Sequence, residues 1–148
     1  MLALAIIFSL SFFEICATGT PELVKSYIHA GVSIEARDEE GRTALMHAAQ
    51  YNKNPEVIKL LVREGAALEA RGRRGSYRGQ TALMIAAAHN RNPDVTRALL
   101  QCGAVIDARD RDGFTALLLA ELYNPNPEVA ELLKRAGAEQ GNQKISYK

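Results

Sequence analysis

The sequence predicts an all-α fold, a solenoid of stacked helix-turn-helix repeats joined by β-turn fingers. Two observations lead to this prediction. Residues 43–71 contain two apolar stripes at helical spacing, separated by NKNPE. The motif GAALEAR that closes this segment at Gly65 recurs as GVSIEAR at Gly31 and as GAVIDAR at Gly103. A unit of this length that returns with its caps in the same places is typical of a solenoid.

Local signals show where the helices of this unit begin and end. Asn54 is a favourable N-cap, and Pro55 fits the first helical position, where a missing N–H costs nothing. Gly65 follows the second helix, where a left-handed residue is favoured. Helices this short are unstable alone, so we expect neighbouring repeats to stabilise each pair.

Three segments carry a resemblance to a known family. GRTALMHAA, GQTALMIAA and GFTALLLAE resemble the ankyrin repeat pattern G-x-T-P-L-H-x-A-A. The resemblance covers roughly residues 11–140 and implies an ankyrin-type solenoid of four repeats, about 11–37, 38–71, 72–109 and 110–140. The first and last repeats would act as caps. Met46, Met84 and Leu118 replace the family's histidine, so its usual hydrogen-bond pairing with threonine is not expected.

The two ends of the chain are set apart by composition. Residues 1–10 form an apolar lead-in that suits a signal-peptide core and is too short to span a membrane. Ser11 and Glu14 instead form a capping box, which predicts a first inner helix. We therefore expect a cytoplasmic protein, with a secreted or membrane-associated protein, addressed through residues 1–17, as the alternative. Residues 141–148 are predicted to be a flexible tail.

The sequence contains no recognisable catalytic or ligand-binding motif. It lacks G-x-S-x-G, a phosphate-binding glycine loop, H-E-x-x-H and C-x-x-C. The three histidines fall in different repeats without the spacing of metal ligands. The net charge of +1 argues against a protein that binds nucleic acid. We expect a monomeric, non-enzymatic protein that binds no metal, cofactor, small-molecule substrate or nucleic acid.

An insertion of four residues breaks the period within residues 71–80, RGRRGSYRGQ. Four arginines surround Tyr77 there, and guanidinium groups bind carboxylate or phosphate in pairs of hydrogen bonds. The insertion therefore suits an acidic or phosphorylated protein partner. The alternative is a solvated insertion that binds nothing. In both cases we expect it to project from the concave edge without disturbing the flanking helices.

The resemblance also implies where a partner would bind, namely the finger tips and the exposed ends of the inner helices. The predicted function is a non-enzymatic protein–protein interaction module with an unknown partner. The alternative is a secreted or membrane-tethered protein with a structural or host-directed role. The predicted partner-binding residues are Arg42, Tyr51, Arg73, Arg74, Tyr77, Arg78, Gln80, His89, Arg111, Phe114 and Tyr123.

Overall fold

The computed structural model describes the backbone of residues 11–145 and the side chains of residues 11–140. Eight α-helices in this part of the chain form four consecutive pairs, which confirms the predicted helical-repeat solenoid. The inner helices are α1 (Phe12–Thr18), α3 (Ala44–Tyr51), α5 (Ala82–His89) and α7 (Ala116–Tyr123). The outer helices are α2 (Pro21–His29), α4 (Pro55–Arg63), α6 (Pro93–Gln101) and α8 (Pro127–Ile145).

The helices stack in two layers. Each inner helix contacts the inner helix of the next repeat, the outer helices do the same, and every inner helix also packs on its outer partner. One continuous apolar core lies between the layers, with Ile15, Leu45, Leu83, Leu99 and Leu133 almost fully buried. Because no pair has a core of its own, the repeats depend on one another for stability.

The predicted caps are present. Ser11 Oγ accepts a hydrogen bond from the Glu14 N–H, and the Glu14 carboxylate accepts one from the Ser11 N–H. Asn54 caps α4 with Pro55 at its first position. In α3 the Thr43 N–H donates to Met46 Sδ at 3.4 Å. The methionine that replaces the expected histidine therefore keeps one capping bond, although sulfur is a weak acceptor.

Asparagine side chains link the second, third and fourth inner helices to the repeat before each. Asn52, Asn90 and Asn124 end the inner helices. Asn90 Nδ2 donates to the carbonyl oxygens of Ala49 and Asn52 at 3.0 and 2.8 Å, and Asn90 Oδ1 accepts from the Asn92 N–H. Asn52 and Asn124 make the same kind of bonds. We call this series the asparagine ladder.

The last helix continues to Ile145, into the segment that was predicted to be a flexible tail. The predicted apolar lead-in, residues 1–10, lies outside the described residues, as does most of the segment that would carry a secretion or membrane signal. Among the helices that are described, none combines the length and the apolar character needed to cross a membrane.

Candidate protein-binding surface

The second-repeat finger is a tight turn organised by one carboxylate. The Asp38 N–H donates to the Arg42 carbonyl oxygen at 3.0 Å, and Gly41 has a φ of +75°. Asp38 Oδ1 accepts from the backbone N–H groups of Glu40 and Arg42 at 3.0 and 2.8 Å. An aspartate that binds its own turn in this way holds the loop in one shape.

The second carboxylate oxygen of Asp38 is hydrogen-bonded to two side chains. Arg42 Nε lies 2.9 Å and His47 Nε2 2.8 Å from Asp38 Oδ2. Burial alone would raise the pKa of Asp38, but these hydrogen bonds and the charge of Arg42 hold it below its usual value. Burial lowers the pKa of His47 and outweighs its hydrogen bond to Asp38. A neutral His47 therefore donates to a charged Asp38.

The insertion folds back onto this finger, so the expectation that it projects from the concave edge was wrong. The flanking helices, Pro55–Arg63 and Ala82–His89, are undisturbed, as expected. The Arg74 N–H donates to the Glu40 carbonyl oxygen at 3.0 Å. A Cβ atom on Gly41 would lie 2.5 Å from Arg73 Cβ, so only glycine permits this approach. A 3₁₀ turn, Gly75–Tyr77, closes the loop. The backbone bond from Arg74 to Glu40 and the close approach of Arg73 to Gly41 hold the insertion against the second finger.

Tyr77 makes three contacts with the chain's own side chains. The Arg42 guanidinium carbon lies 4.7 Å from the centre of the tyrosine ring, a cation–π distance. Gln50 Nε2 donates to the Tyr77 hydroxyl oxygen at 2.9 Å. The His89 ring meets Tyr77 edge-on, with 6.3 Å between ring centres. The tyrosine is therefore half-buried and holds the insertion in place through residues of two repeats.

The three arginines that end the repeated motif GVSIEAR, GAALEAR or GAVIDAR bond to the backbone of the fingers and are distinct from the arginines at the finger tips. Arg71 Nη1 donates to the carbonyl oxygens of Gly79 and Arg109, both at 2.7 Å. Arg37 reaches the carbonyl oxygens of Gly41 and Arg71 in the same way. Arg109 bonds to its own finger. Arg71 lies among the insertion arginines in the sequence, but its guanidinium is occupied by two backbone carbonyl groups.

The fourth-repeat finger has the same turn but different neighbours. Asp110 Oδ1 accepts from the N–H groups of Asp112 and Phe114 at 3.0 and 2.8 Å, as Asp38 does in its own turn. Phe114 and Leu119 stand where Arg42 and His47 stand in the second repeat. Neither side chain can donate a hydrogen bond. Within residues 11–140, Asp110 Oδ2 therefore has no side-chain partner.

Two cavities flank Asp110. One, of about 320 Å³, lies between the third and fourth repeats. Its lining residues are Ser76, Gln80, Ala88, His89, Asp110, Asp112, Phe114, Leu119 and Tyr123. We call it the acidic cavity. The other, of about 370 Å³, lies at the finger tips, and its arginines are Arg71, Arg73, Arg78, Arg109 and Arg111. We call it the arginine cavity.

The predicted partner-binding residues fall into three groups by exposure. Those exposed are Tyr51, Arg73, Arg74, Arg78, His89, Arg111 and Tyr123. Arg42, Tyr77 and Phe114 are partly buried, and Gln80 is buried. Tyr51 and Tyr123 are 53% and 61% exposed, and Leu122 beside Tyr123 is 54% exposed. The two cavities and the Tyr77 contacts bring most of these residues together on one surface. The guanidinium of Arg42 is already bonded to Asp38 of the same chain.

The side-chain roles of Asp38 and Asp110 were not predicted from the sequence. The signal was present in the repeated motif D-x-x-G-x-T, which reads DEEGRT and DRDGFT. An aspartate three residues before the turn glycine suits a side chain that binds the turn backbone. Among the described side chains, no three of His, Cys, Asp and Glu are grouped so that they could hold a metal ion.

Comparison with known proteins agrees with this architecture. The model of a family described as ankyrin repeats, three copies, matches residues 12–110 and 69–144. A search of curated proteins finds no significant match. The family match covers most of the chain, and its span includes every helix pair and finger described above. The chain therefore belongs to the ankyrin repeat family.

Proposed function

We propose that the finger tips and inner-helix ends bind a protein partner through an acidic segment of that partner. Ankyrin repeats are generally protein–protein interaction modules, and the family is typically non-enzymatic. The observation that carries the proposal is a set of exposed arginines, Arg73, Arg74, Arg78 and Arg111. Within the described part of the chain, none of their guanidinium groups has a hydrogen-bond or ion-pair partner.

The placement of these arginines favours an anionic partner. Arg73, Arg78 and Arg111 line the same cavity, where their charges repel one another. A carboxylate or phosphate would relieve this repulsion and accept paired hydrogen bonds from the guanidinium groups. Because the insertion is held against the second finger, little loop entropy is lost when a partner binds.

Exposed apolar side chains add contact area beside the arginines. Tyr51, Leu122 and Tyr123 are each more than half exposed at the ends of inner helices. Tyrosine supplies rigid, amphipathic area at low entropic cost, which suits an interface. We therefore expect the acidic segment to lie across the finger tips while apolar residues of the partner meet the inner-helix ends.

Selection of random peptides displayed on phage tests this proposal without a known partner. We compare the wild type with a finger-tip variant carrying Arg73→Gln, Arg78→Gln and Arg111→Gln. A control variant carries Arg63→Gln, Arg97→Gln and Arg135→Gln, which removes the same charge from exposed outer-helix positions.

Peptides selected on the wild type should be rich in Asp and Glu and should bind more weakly as salt is added. The finger-tip variant should lose about tenfold or more in affinity, since each charge-assisted hydrogen bond contributes about 1.5–3 kcal/mol. The control should bind like the wild type. Selected peptides without acidic enrichment, or equal losses in both variants, would contradict the proposal.

A further inference from the structure

The acidic cavity repeats a local arrangement that the second repeat completes with its own side chains. In the second repeat, the Arg42 guanidinium bonds to Asp38 Oδ2 at 2.9 Å and to Gln50 Oε1 at 3.1 Å, and it lies over the Tyr77 ring. One guanidinium thus meets a carboxylate, an amide oxygen and an aromatic face. Carboxylate groups and aromatic faces are both partners that arginine side chains commonly use in recognition.

The fourth repeat offers similar partners, but no arginine of the chain lines the cavity to bond with them. The carboxylates of Asp110 and Asp112, the amide of Gln80 and the rings of Phe114 and Tyr123 all line the acidic cavity. No arginine or lysine is among its lining residues. Asp110 Oδ2 lacks the two donors that Asp38 Oδ2 has, because Phe114 and Leu119 replace Arg42 and His47.

Gln80 provides an independent observation. Its side chain is only 9% exposed, and its Oε1 atom is buried without any hydrogen-bond partner in the described structure. A buried acceptor of this kind costs free energy unless something donates to it. Gln80 occupies the third-repeat position that corresponds to Arg42 and lines the acidic cavity.

We propose that the acidic cavity binds an arginine side chain of the partner, whose guanidinium donates to Asp110 Oδ2 and Gln80 Oε1 and stacks on Phe114 or Tyr123. This deepens the proposed function and rests on it, because the cavity adjoins the arginine cavity across Asp110. The partner segment then carries an arginine next to its acidic residues. Arginine suits the site better than lysine because its planar fork reaches two acceptors while its face stacks on a ring.

Nuclear magnetic resonance titration with a single-residue probe tests this directly. The probe is Nα-acetyl-arginine-N-methylamide, added to the ¹⁵N-labelled full chain. Saturable shifts are expected at the Gln80 side-chain amide and at the backbone amides of Asp112, Phe114 and Tyr123. The neutral analogue Nα-acetyl-citrulline-N-methylamide should bind at least about tenfold more weakly, because a charge-assisted bond is lost.

Two variants and a control decide between specific binding and general charge attraction. Asp110→Asn keeps the oxygen that holds the turn but removes the charge, and it should weaken probe binding about tenfold or more. Phe114→Arg supplies the chain's own guanidinium, as Arg42 does, and should abolish probe binding. Because Phe114 is partly buried against the core, the thermal midpoint of this variant is measured alongside. Asp107→Asn removes an exposed carboxylate outside the cavity and should bind the probe like the wild type.

The proposal is overturned by any of three results: no saturable shift in the wild type, equal binding of the citrulline probe, or unchanged binding by Phe114→Arg. If Asp110→Asn fails to fold, the citrulline probe and Phe114→Arg still decide. The outcome is separate from the peptide selection. Arginine binding without a preference for acidic peptides would refute only the acidic partner, and the reverse result would refute only the arginine site.

Discussion

The two ends of the inner helices differ in whether the same side chain recurs in successive repeats. At their C-terminal ends, Asn52, Asn90 and Asn124 each bond to backbone carbonyl groups of the preceding repeat. At their N-terminal ends, each finger has different side chains: Arg42 in the second repeat, Gln80 in the third and Phe114 in the fourth. The asparagine ladder binds backbone, which is the same in every repeat. The finger side chains meet one another, so a change in one repeat gives that repeat a new surface.

In a repeat protein, a single sequence can therefore indicate which positions serve the stack and which can serve binding. Positions that are alike in all repeats serve the stack, because each must fit an identical neighbour. Positions that differ are free to serve binding, since no neighbouring backbone depends on them. Substitutions at the two kinds of position should therefore differ in their effect on stability.

Loss of a ladder asparagine should have the largest effect on stability. Asn90→Ala removes two bonds to buried carbonyl oxygens and one to the Asn92 N–H. We expect the free energy of unfolding to fall by about 3 to 5 kcal/mol, because each buried group left unpaired costs about 1–3 kcal/mol. Urea denaturation measures this. Asn54→Ala, the same substitution at a helix cap, should cost only about 1 kcal/mol. Equal losses at the two positions would show that the ladder is no more than capping.

Tyr77→Ala should have an intermediate effect, because the insertion is packed against the stack. It removes the contacts of the ring with Arg42 and His89 and the bond from Gln50. We expect a loss of about 1–3 kcal/mol in unfolding free energy. Tyr77→Phe keeps the ring and should lose about 1 kcal/mol, the worth of one hydrogen bond. If Tyr77→Ala unfolds at the same urea concentration as the wild type, the insertion is only a spacer.

Acid should destabilise the second finger in two steps. The pKa of His47 is lowered by burial, so the unfolded chain binds its proton more tightly. Stability should therefore begin to fall as the pH drops below about 6.5. The pKa of Asp38 is also held below its usual value, so its contribution is present above about pH 3.9 and is lost in stronger acid.

His47→Leu isolates the first of these steps, since leucine stands at the corresponding position in the fourth repeat. Thermal midpoints measured from pH 7 to pH 5 should decline less in this variant than in the wild type. His89, whose pKa is also lowered by desolvation, remains in both proteins and cancels in the comparison. Parallel pH profiles would mean that His47 is charged or exposed in the folded chain.

Finger-tip arginines should have the smallest effect on stability. Arg73→Gln and Arg111→Gln change exposed side chains that have no partner within the described residues. The free energy of unfolding should stay within about 0.5 kcal/mol of the wild-type value. Thermal and urea unfolding check this, and a larger loss would mean that these arginines serve the fold and are poor probes of binding.

Local signals were enough to predict where most helices begin and end. Ser11 and Asn54 act within their own helical turn, so their roles can be read from neighbouring residues alone. The asparagine ladder was missed, although N-x-N-P occurs three times, because its partners lie more than thirty residues away. The repetition of the motif shows that the asparagine matters but does not show which atoms it binds.

The repeat period and the helix pairs can be predicted from the sequence alone, because caps, proline and glycine act over a few residues. The fold is needed to see that Tyr77 turns inward to Gln50, 27 residues away. It is also needed to see that Asp38 Oδ2 has two side-chain partners, whereas Asp110 Oδ2 has none within residues 11–140. Both outcomes depend on which side chains of different repeats meet once the stack has formed, and that meeting is set by long-range packing.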